Sequence, residues 1–142
     1  MSKHYASGSW EGSLVKGKGE YVLKTSGYKG NLKYVSRFED DKTASSPEEL
    51  IGAALAGCFS MALAHALDQA GNTAEKVETS AVVTLDKTDS GFGITEILLK
   101  TTAKVKGIDD KKFQEIAGKT KTGCPVSKAL TGTTIKLEAA LV

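Results

Sequence analysis

An excess of charge of one sign is missing from this sequence: 19 basic residues stand against 17 acidic ones over 142 residues. A formal net charge of +2 gives no electrostatic footprint of the kind that nucleic acid or an anionic membrane demands. Cysteine is almost absent, with two residues, Cys58 and Cys124. Two thiols in a cytosolic chain are rarely a structural staple, and they are too few for zinc unless His4 and His65 both join them. No C-x-x-C or H-x-x-x-H cluster occurs, which argues against a metal site. The N-terminal MSKHYASGSWEG has no apolar signal-peptide core and no cleavage signal, so the expected location is the cytoplasm, with reduced thiols. Repeats and low-complexity tracts are lacking too. What remains is the reading of a single domain, 1–142, large enough to bury a core without staples.

The most informative stretch that is present runs from Ser46 to Leu67, SPEELIGAALAGCFSMALAHAL. Ser46 is placed to be an N-cap, Pro47 fits the first helical position, and Glu49 sits where a capping-box carboxylate reaches back. From Leu50 to Leu67 no residue is charged, and a helix apolar all round belongs in a core or a bilayer. The run is short of the ~20 mostly apolar residues a span needs, which favours the core. Small residues at Gly52, Ala56, Ser60 and Ala64, each four apart, draw a stripe that another backbone can approach. Two occupants suit it equally: the same helix in a second copy about a two-fold axis, or a sheet of the same chain.

Around this helix the chain reads as α+β. Residues 5–38 suggest three short antiparallel strands, with Trp10, then Tyr21 and Leu23, then Leu32, Tyr34 and Phe38 at alternating positions and glycines between. Gly71 suits a helix stop. Val77 to Leu85 alternates, Asp89-Ser90-Gly91 turns, and Phe92 to about Val105 is apolar enough for an inner strand. Asp109 offers an N-cap to a short helix with Phe113, Ile116 and Ala117 on its buried side. Pro125 makes Cys124 the mouth of another helix, and Ile135 to Val142 alternates as a last strand.

Both cysteines could carry chemistry. Cys58, in mid-helix among alanines, reads either as a small core hydrophobe or as a thiol needing a nearby cation, because apolar burial raises a thiol's pKa. Cys124, where free amides and the helix dipole favour thiolate, is the nucleophile that local physics alone would choose. His65 shares a face with Cys58 but lies ~10 Å further along the axis, a distance that suits a structural role.

Four segments in register carry a resemblance: Arg37-Phe38-Glu39, Pro47 to Ala54 (PEELIGAA), Ala56 to Leu63 (AGCFSMAL) and Cys124 to Leu130 (CPVSKAL). Together, from Trp10-Glu11-Gly12 to the last strand, they resemble the OsmC family of osmotically inducible proteins, relatives of the organic hydroperoxide resistance proteins. The RFE segment is more similar to the OsmC branch. The resemblance implies antiparallel sheets around a long buried central helix in an intertwined homodimer. It implies a stress-response cysteine peroxidase with no metal, flavin or haem cofactor, which reduces organic hydroperoxides and, less efficiently, hydrogen peroxide. Carried over by position, Cys58 is the peroxidatic residue, Cys124 the resolving one, Arg37 the cation that holds the thiolate and Glu48 the carboxylate that orients it. An external dithiol, such as a lipoyl group, closes the cycle.

Two points of physics accompany these roles. Glu49 is taken up by the cap while Glu48 is free, yet ten residues, ~15 Å of straight helix, separate Glu48 from Cys58. Glu48 therefore serves either a second copy or a bent helix. Ile51, Leu55, Phe59 and Met61 are apolar residues suited to wall an alkyl peroxide. A redox sensor and a small-molecule binding module with the same fold and little turnover are the alternatives.

Overall fold

The computed structural model describes residues 1–142, and the chain divides into two compact units, Met1–Leu50 and Ile51–Val142. All apolar side chains that are fully withdrawn from water belong to the second.

In the first unit, β1 (Ala6–Glu11), β2 (Lys18–Leu23) and β3 (Tyr28–Leu32) form the expected antiparallel meander in the order β1-β2-β3. Two cross-strand pairs explain its glycines. Trp10 lies opposite Gly19 and Tyr21 opposite Gly30, and a Cβ at either glycine would come within 2.7 Å of the facing ring. Glycine makes room for the ring, and the ring covers the glycine's bare backbone.

The third strand ends earlier than the alternation suggests. Tyr34 and Phe38 belong not to β3 but to a one-turn helix, α1 (Tyr34–Phe38). At four residues apart they share a helical face, and their ring centroids stand 4.8 Å apart. Beyond α1, Asp41 gathers the chain into a knot: it accepts from the Thr43 amide at 2.7 Å, from the Thr43 hydroxyl at 2.5 Å and from Ser36 of α1 at 3.3 Å. These bonds hold the Asp41 carboxyl below the usual carboxylate range.

The long helix α2 (Pro47–Gln69) begins as expected, with Ser46 Oγ accepting the Glu49 amide at 3.1 Å, and the chain turns away at Gly71, whose φ is +82°. Its 23 residues are by length and composition enough to cross a membrane, so the length argument against a span does not hold. A core helix passes the same test, and one face of this helix packs as core. Leu55, Phe59, Leu63 and Leu67 are fully buried with Ile97, Leu99, Ala103, Phe113, Ile116 and Ala117. Each Leu, Ile or Phe side chain among them contributes roughly 1.5–3 kcal/mol.

The expectation of burial all round is, however, corrected. Ala53, Ala54, Gly57, Met61 and His65 line an exposed side, because the second unit supplies a sheet and a helix against one face only. The small-residue stripe faces that sheet. A Cβ at Gly52 would stand 3.1 Å from Val83, and Ser60 donates to Thr79 at 2.8 Å. Thr79 in turn meets Thr101 at 2.8 Å, and Thr101 donates to the Glu78 carbonyl at 3.0 Å. Since each hydroxyl has one proton, the chain of donors runs from Ser60 through Thr79 and Thr101 to that carbonyl.

The sheet has the order β4-β5-β6, with β5 (Gly91–Val105) between β4 (Ala74–Thr88) and β6 (Thr134–Leu141). β4 and β5 are the long antiparallel hairpin, but β6 runs parallel to β5, so this sheet is mixed rather than antiparallel. The intervening helices, α3 (Asp110–Gly123) and α4 (Pro125–Ala129), form the crossover that a parallel pair requires. Asp109 caps α3 by accepting the Lys112 amide at 2.8 Å.

Candidate active site

Cys124 ends one helix and starts another. It is the C-cap of α3, its amide bonding the Thr120 carbonyl at 3.1 Å, and the N-cap of α4, with extended backbone at φ −68° and ψ 144°. Pro125 can follow because the first helical residue has no use for an N–H. As cap, the Cys124 sulfur accepts the Ser127 amide at 3.4 Å and sits 3.0 Å from the Ser127 hydroxyl. Cys124 is 1% exposed.

Cys58, half-buried on α2, meets the same turn. Burial pushes its thiol above the ordinary value. The Val126 backbone N–H bonded to its sulfur pulls the other way, and the hydrogen-bonded Cys124 thiol adds to the rise. The two cysteines are free thiols close enough for each to influence the other, with the Val126 amide at Cys58 and the Ser127 amide at Cys124, both from the first turn of α4. The influences on Cys58 thus are burial, one amide and a thiol, with no cation among them.

In the other unit, Arg37 lies in the last turn of α1 and Glu48 in the first turn of α2. Arg37 donates from Nε at 2.9 Å and from Nη2 at 2.7 Å, both to Glu48 Oε1. The guanidinium carbon stands 5.3 Å from the Phe38 ring centroid. Glu48 is 6% exposed and its Oε2 has no partner, whereas the Arg37 side chain is 39% exposed. Glu49 points to solvent, and no bond returns from it to the Ser46 amide, so the reciprocal half of the capping box is not made.

The four apolar residues expected to wall the substrate are not brought together. Leu55 and Phe59 are sealed in the core, with Ile51 half-buried beside them, because positions four apart share one helical face. Met61, two residues from Phe59, points away and is 76% exposed. His65 and His4 are exposed. No three His, Cys, Asp or Glu side chains stand close enough to share a metal ion. Sequence reasoning missed Val126 and Ser127, whose contribution at Cys58 and Cys124 is through backbone amides; the signal was the Cys-Pro-x-Ser pattern, in which an N-cap is followed by free N–H groups.

The model of the OsmC-like proteins matches residues 39–138, most of the chain. The chain belongs to the OsmC family. It is 50% identical over 123 residues to Peroxiredoxin OsmC of Escherichia coli K12, covering 85% of each chain, and equally to Peroxiredoxin OsmC of Shigella flexneri. Among solved structures it is similar to the organic hydroperoxide resistance protein OhrB of Bacillus subtilis, with a TM-score of 0.75 and 27% identity over 95% of this chain and 97% of that one. An OsmC-like protein of Vibrio cholerae shares the OsmC fold at a TM-score of 0.77, with 17% identity over 98% and 99% of the two chains.

Proposed function

We propose that this cysteine-based peroxidase reduces organic hydroperoxides in a two-thiol cycle, and hydrogen peroxide less efficiently. The observation that carries the reading is the closeness of the Cys58 and Cys124 thiols at the first turn of α4, whose amides serve both. The Cys58 thiolate attacks the distal oxygen of ROOH; an S–O bond forms, the O–O bond breaks, and the alkoxide takes up, through solvent, the proton that Cys58 released on ionising and leaves as ROH. The Cys124 thiolate then attacks the sulfenic sulfur, the S–S bond forms, and water leaves. An external dithiol restores both thiols. The closeness of the two thiols favours the second step, which requires Cα atoms within ~7 Å.

Burial alone would keep Cys58 protonated, so the reading requires a positive charge. Arg37 is assigned that role because guanidinium is charged at every working pH, and Glu48 fixes its fork. We assign the working form as a homodimer in the cytoplasm. The first unit buries no apolar side chain and exposes Tyr5, Leu14, Val15 and Tyr28, while α2 exposes Met61; such surface is what a second copy covers. Of the four apolar candidates, half-buried Ile51 and exposed Met61 are accessible to an alkyl chain.

Consumption of cumene hydroperoxide with dithiothreitol tests the reading. Turnover should vanish in Cys58→Ser, whereas Cys124→Ser should still consume one equivalent per site. Wild-type protein that oxidises stoichiometrically without turning over would instead be a sensor. Full activity in Cys58→Ser would end the proposal.

A further inference from the structure

To act as the second thiol, Cys124 has to lose a proton in a place that water barely reaches. It is 1% exposed, and Ser127 beside it is 5% exposed. A buried thiol needs an acceptor for its S–H, whereas the thiolate that replaces it needs donors, so a partner able to do only one of these favours only one of the two states. The surroundings of the Cys124 sulfur narrow the choice to one side chain. Thr120 shares the wall of a hollow with Cys124, but its hydroxyl donates to the Ile116 carbonyl at 2.8 Å. Lys119, in the same wall, is paired with Glu115 at 2.7 Å. Lys121 and Lys128 line a different hollow, which has Ser127 in its wall but not Cys124. The Cys58 thiol of α2 is the titratable neighbour, and beyond it the core cluster to which Cys124 belongs is apolar. That leaves the Ser127 hydroxyl. Its Oγ stands 3.0 Å from the Cys124 sulfur with either atom able to donate, and it has no other hydrogen-bond partner.

We propose that the Ser127 hydroxyl is a further functional group of the two-thiol cycle: it accepts the S–H of Cys124 in the thiol state and, by rotating about its C–O bond, donates to the thiolate that attacks the Cys58 sulfenic sulfur. The inference rests on the cycle proposed above and concerns its second step. A hydroxyl suits the task because it is donor and acceptor in one group, which neither an ammonium nor a carbonyl is. When Cys124 ionises, its proton passes to solvent and the Ser127 O–H turns to the sulfur. The Ser127 amide, already aimed there at 3.4 Å, is the second donor, and donors to the charged form favour that form. The thiolate then forms the S–S bond while hydroxide leaves the Cys58 sulfur and takes up a proton from solvent as water. Ser127 ends the step with the proton it began with.

The test uses the full chain and two readouts. The difference in ultraviolet absorbance between Cys58→Ser and Cys58→Ser/Cys124→Ser isolates the Cys124 thiolate, so its ionisation is followed without any peroxide chemistry. Adding Ser127→Ala, which keeps the amide and is well tolerated in a helix, should raise the pH of half-ionisation by about one pH unit. Ser127→Thr keeps the hydroxyl, and its extra methyl has room in the hollow of about 290 Å³ that Ser127 lines, so it should restore the original titration. With both cysteines present, one equivalent of cumene hydroperoxide per site starts a single turnover, and acid quenching with intact mass follows the loss of water as the disulfide closes. Closure at pH 7 should be about tenfold slower in Ser127→Ala, with the gap narrowing as pH rises. An unchanged titration in Ser127→Ala, or a shift in Ser127→Thr as large as in Ser127→Ala, overturns the inference. Failure of hydroperoxide to form any disulfide in the wild type, with the titration still dependent on the Ser127 hydroxyl, would instead count against the cycle itself.

Discussion

At the scale of single residues, the chemistry turns on opposing influences on one sulfur. Burial raises the Cys58 pKa, and a raised pKa leaves less thiolate at neutral pH, so reactivity must climb as pH rises toward it. In the proposed site Arg37 acts the other way, since a positive charge favours the ionised form of an acid. Replacing Arg37 with Met keeps the burial and removes the charge. The pH at which Cys58 alkylation by iodoacetamide levels off should therefore move up, and the rate at pH 7 should fall on the order of tenfold or more. An identical pH profile in Arg37→Met would remove Arg37 from the site. Arg37→Lys should restore charge but only part of the rate, since an ammonium lacks the fork that holds Glu48 Oε1 through two nitrogens.

Glu48→Gln tests the other half of that pair. Because Arg37 is more than a third exposed, solvent screens the interaction, and the stability loss should be on the order of 1 kcal/mol in urea unfolding. The loss in kcat/KM should be larger than the loss in stability implies, because a loosened guanidinium no longer points one way. A variant with wild-type kinetics would leave Glu48 as a purely structural residue.

Elements set where these residues stand. Helix α2 lies flat on its sheet because Gly52 brings no side chain between it and Val83, and because Ser60 reaches Thr79. Gly52→Leu forces an isobutyl group into a gap where even a Cβ meets Val83 at 3.1 Å, and overpacking of this kind costs typically ~1–3 kcal/mol. Chemical denaturation should show it, despite leucine's better helix propensity. Stability at or above wild type would mean that the helix lifts from the sheet without penalty. Helix α1 is held to its loop by Asp41, whose carboxyl is depressed by its bonds to Thr43 and Ser36. The sign follows: the folded pKa lies below the unfolded one, so the stabilisation is present above about pH 4 and fades as pH falls through the lower, folded value.

For the whole molecule, the surface left uncovered is the informative quantity. A first unit with no buried apolar side chain and an α2 with one exposed face leave this chain of 14.9 kDa short of the burial its composition allows. Sedimentation should find twice that mass. Gly57→Glu, at an exposed helical position where a Cβ meets nothing within 4 Å, should fold as well as wild type yet shift the population toward monomer, because in the proposed dimer it would bury a charge. A monomeric wild type at micromolar concentration would refute the dimer.

The sequence by itself determined whatever depends on local chemistry. Ser46-Pro47 starts a helix, Asp109 caps another, Cys124-Pro125 ends one helix and opens the next, and alternation marks β4 and β6, all through bonds made within a few residues. The aromatic spacing of Tyr34 and Phe38 fits strand and helix alike at so short a length, which is why α1 was hidden. The tertiary structure alone decided which side of an almost uniformly apolar helix meets the sheet, that β6 runs parallel to β5, and that Leu55 and Phe59 are core. It also decided that the Val126 amide reaches Cys58. These depend on contacts between residues far apart in the chain, and a helix without a polar face carries no pattern from which such contacts can be read.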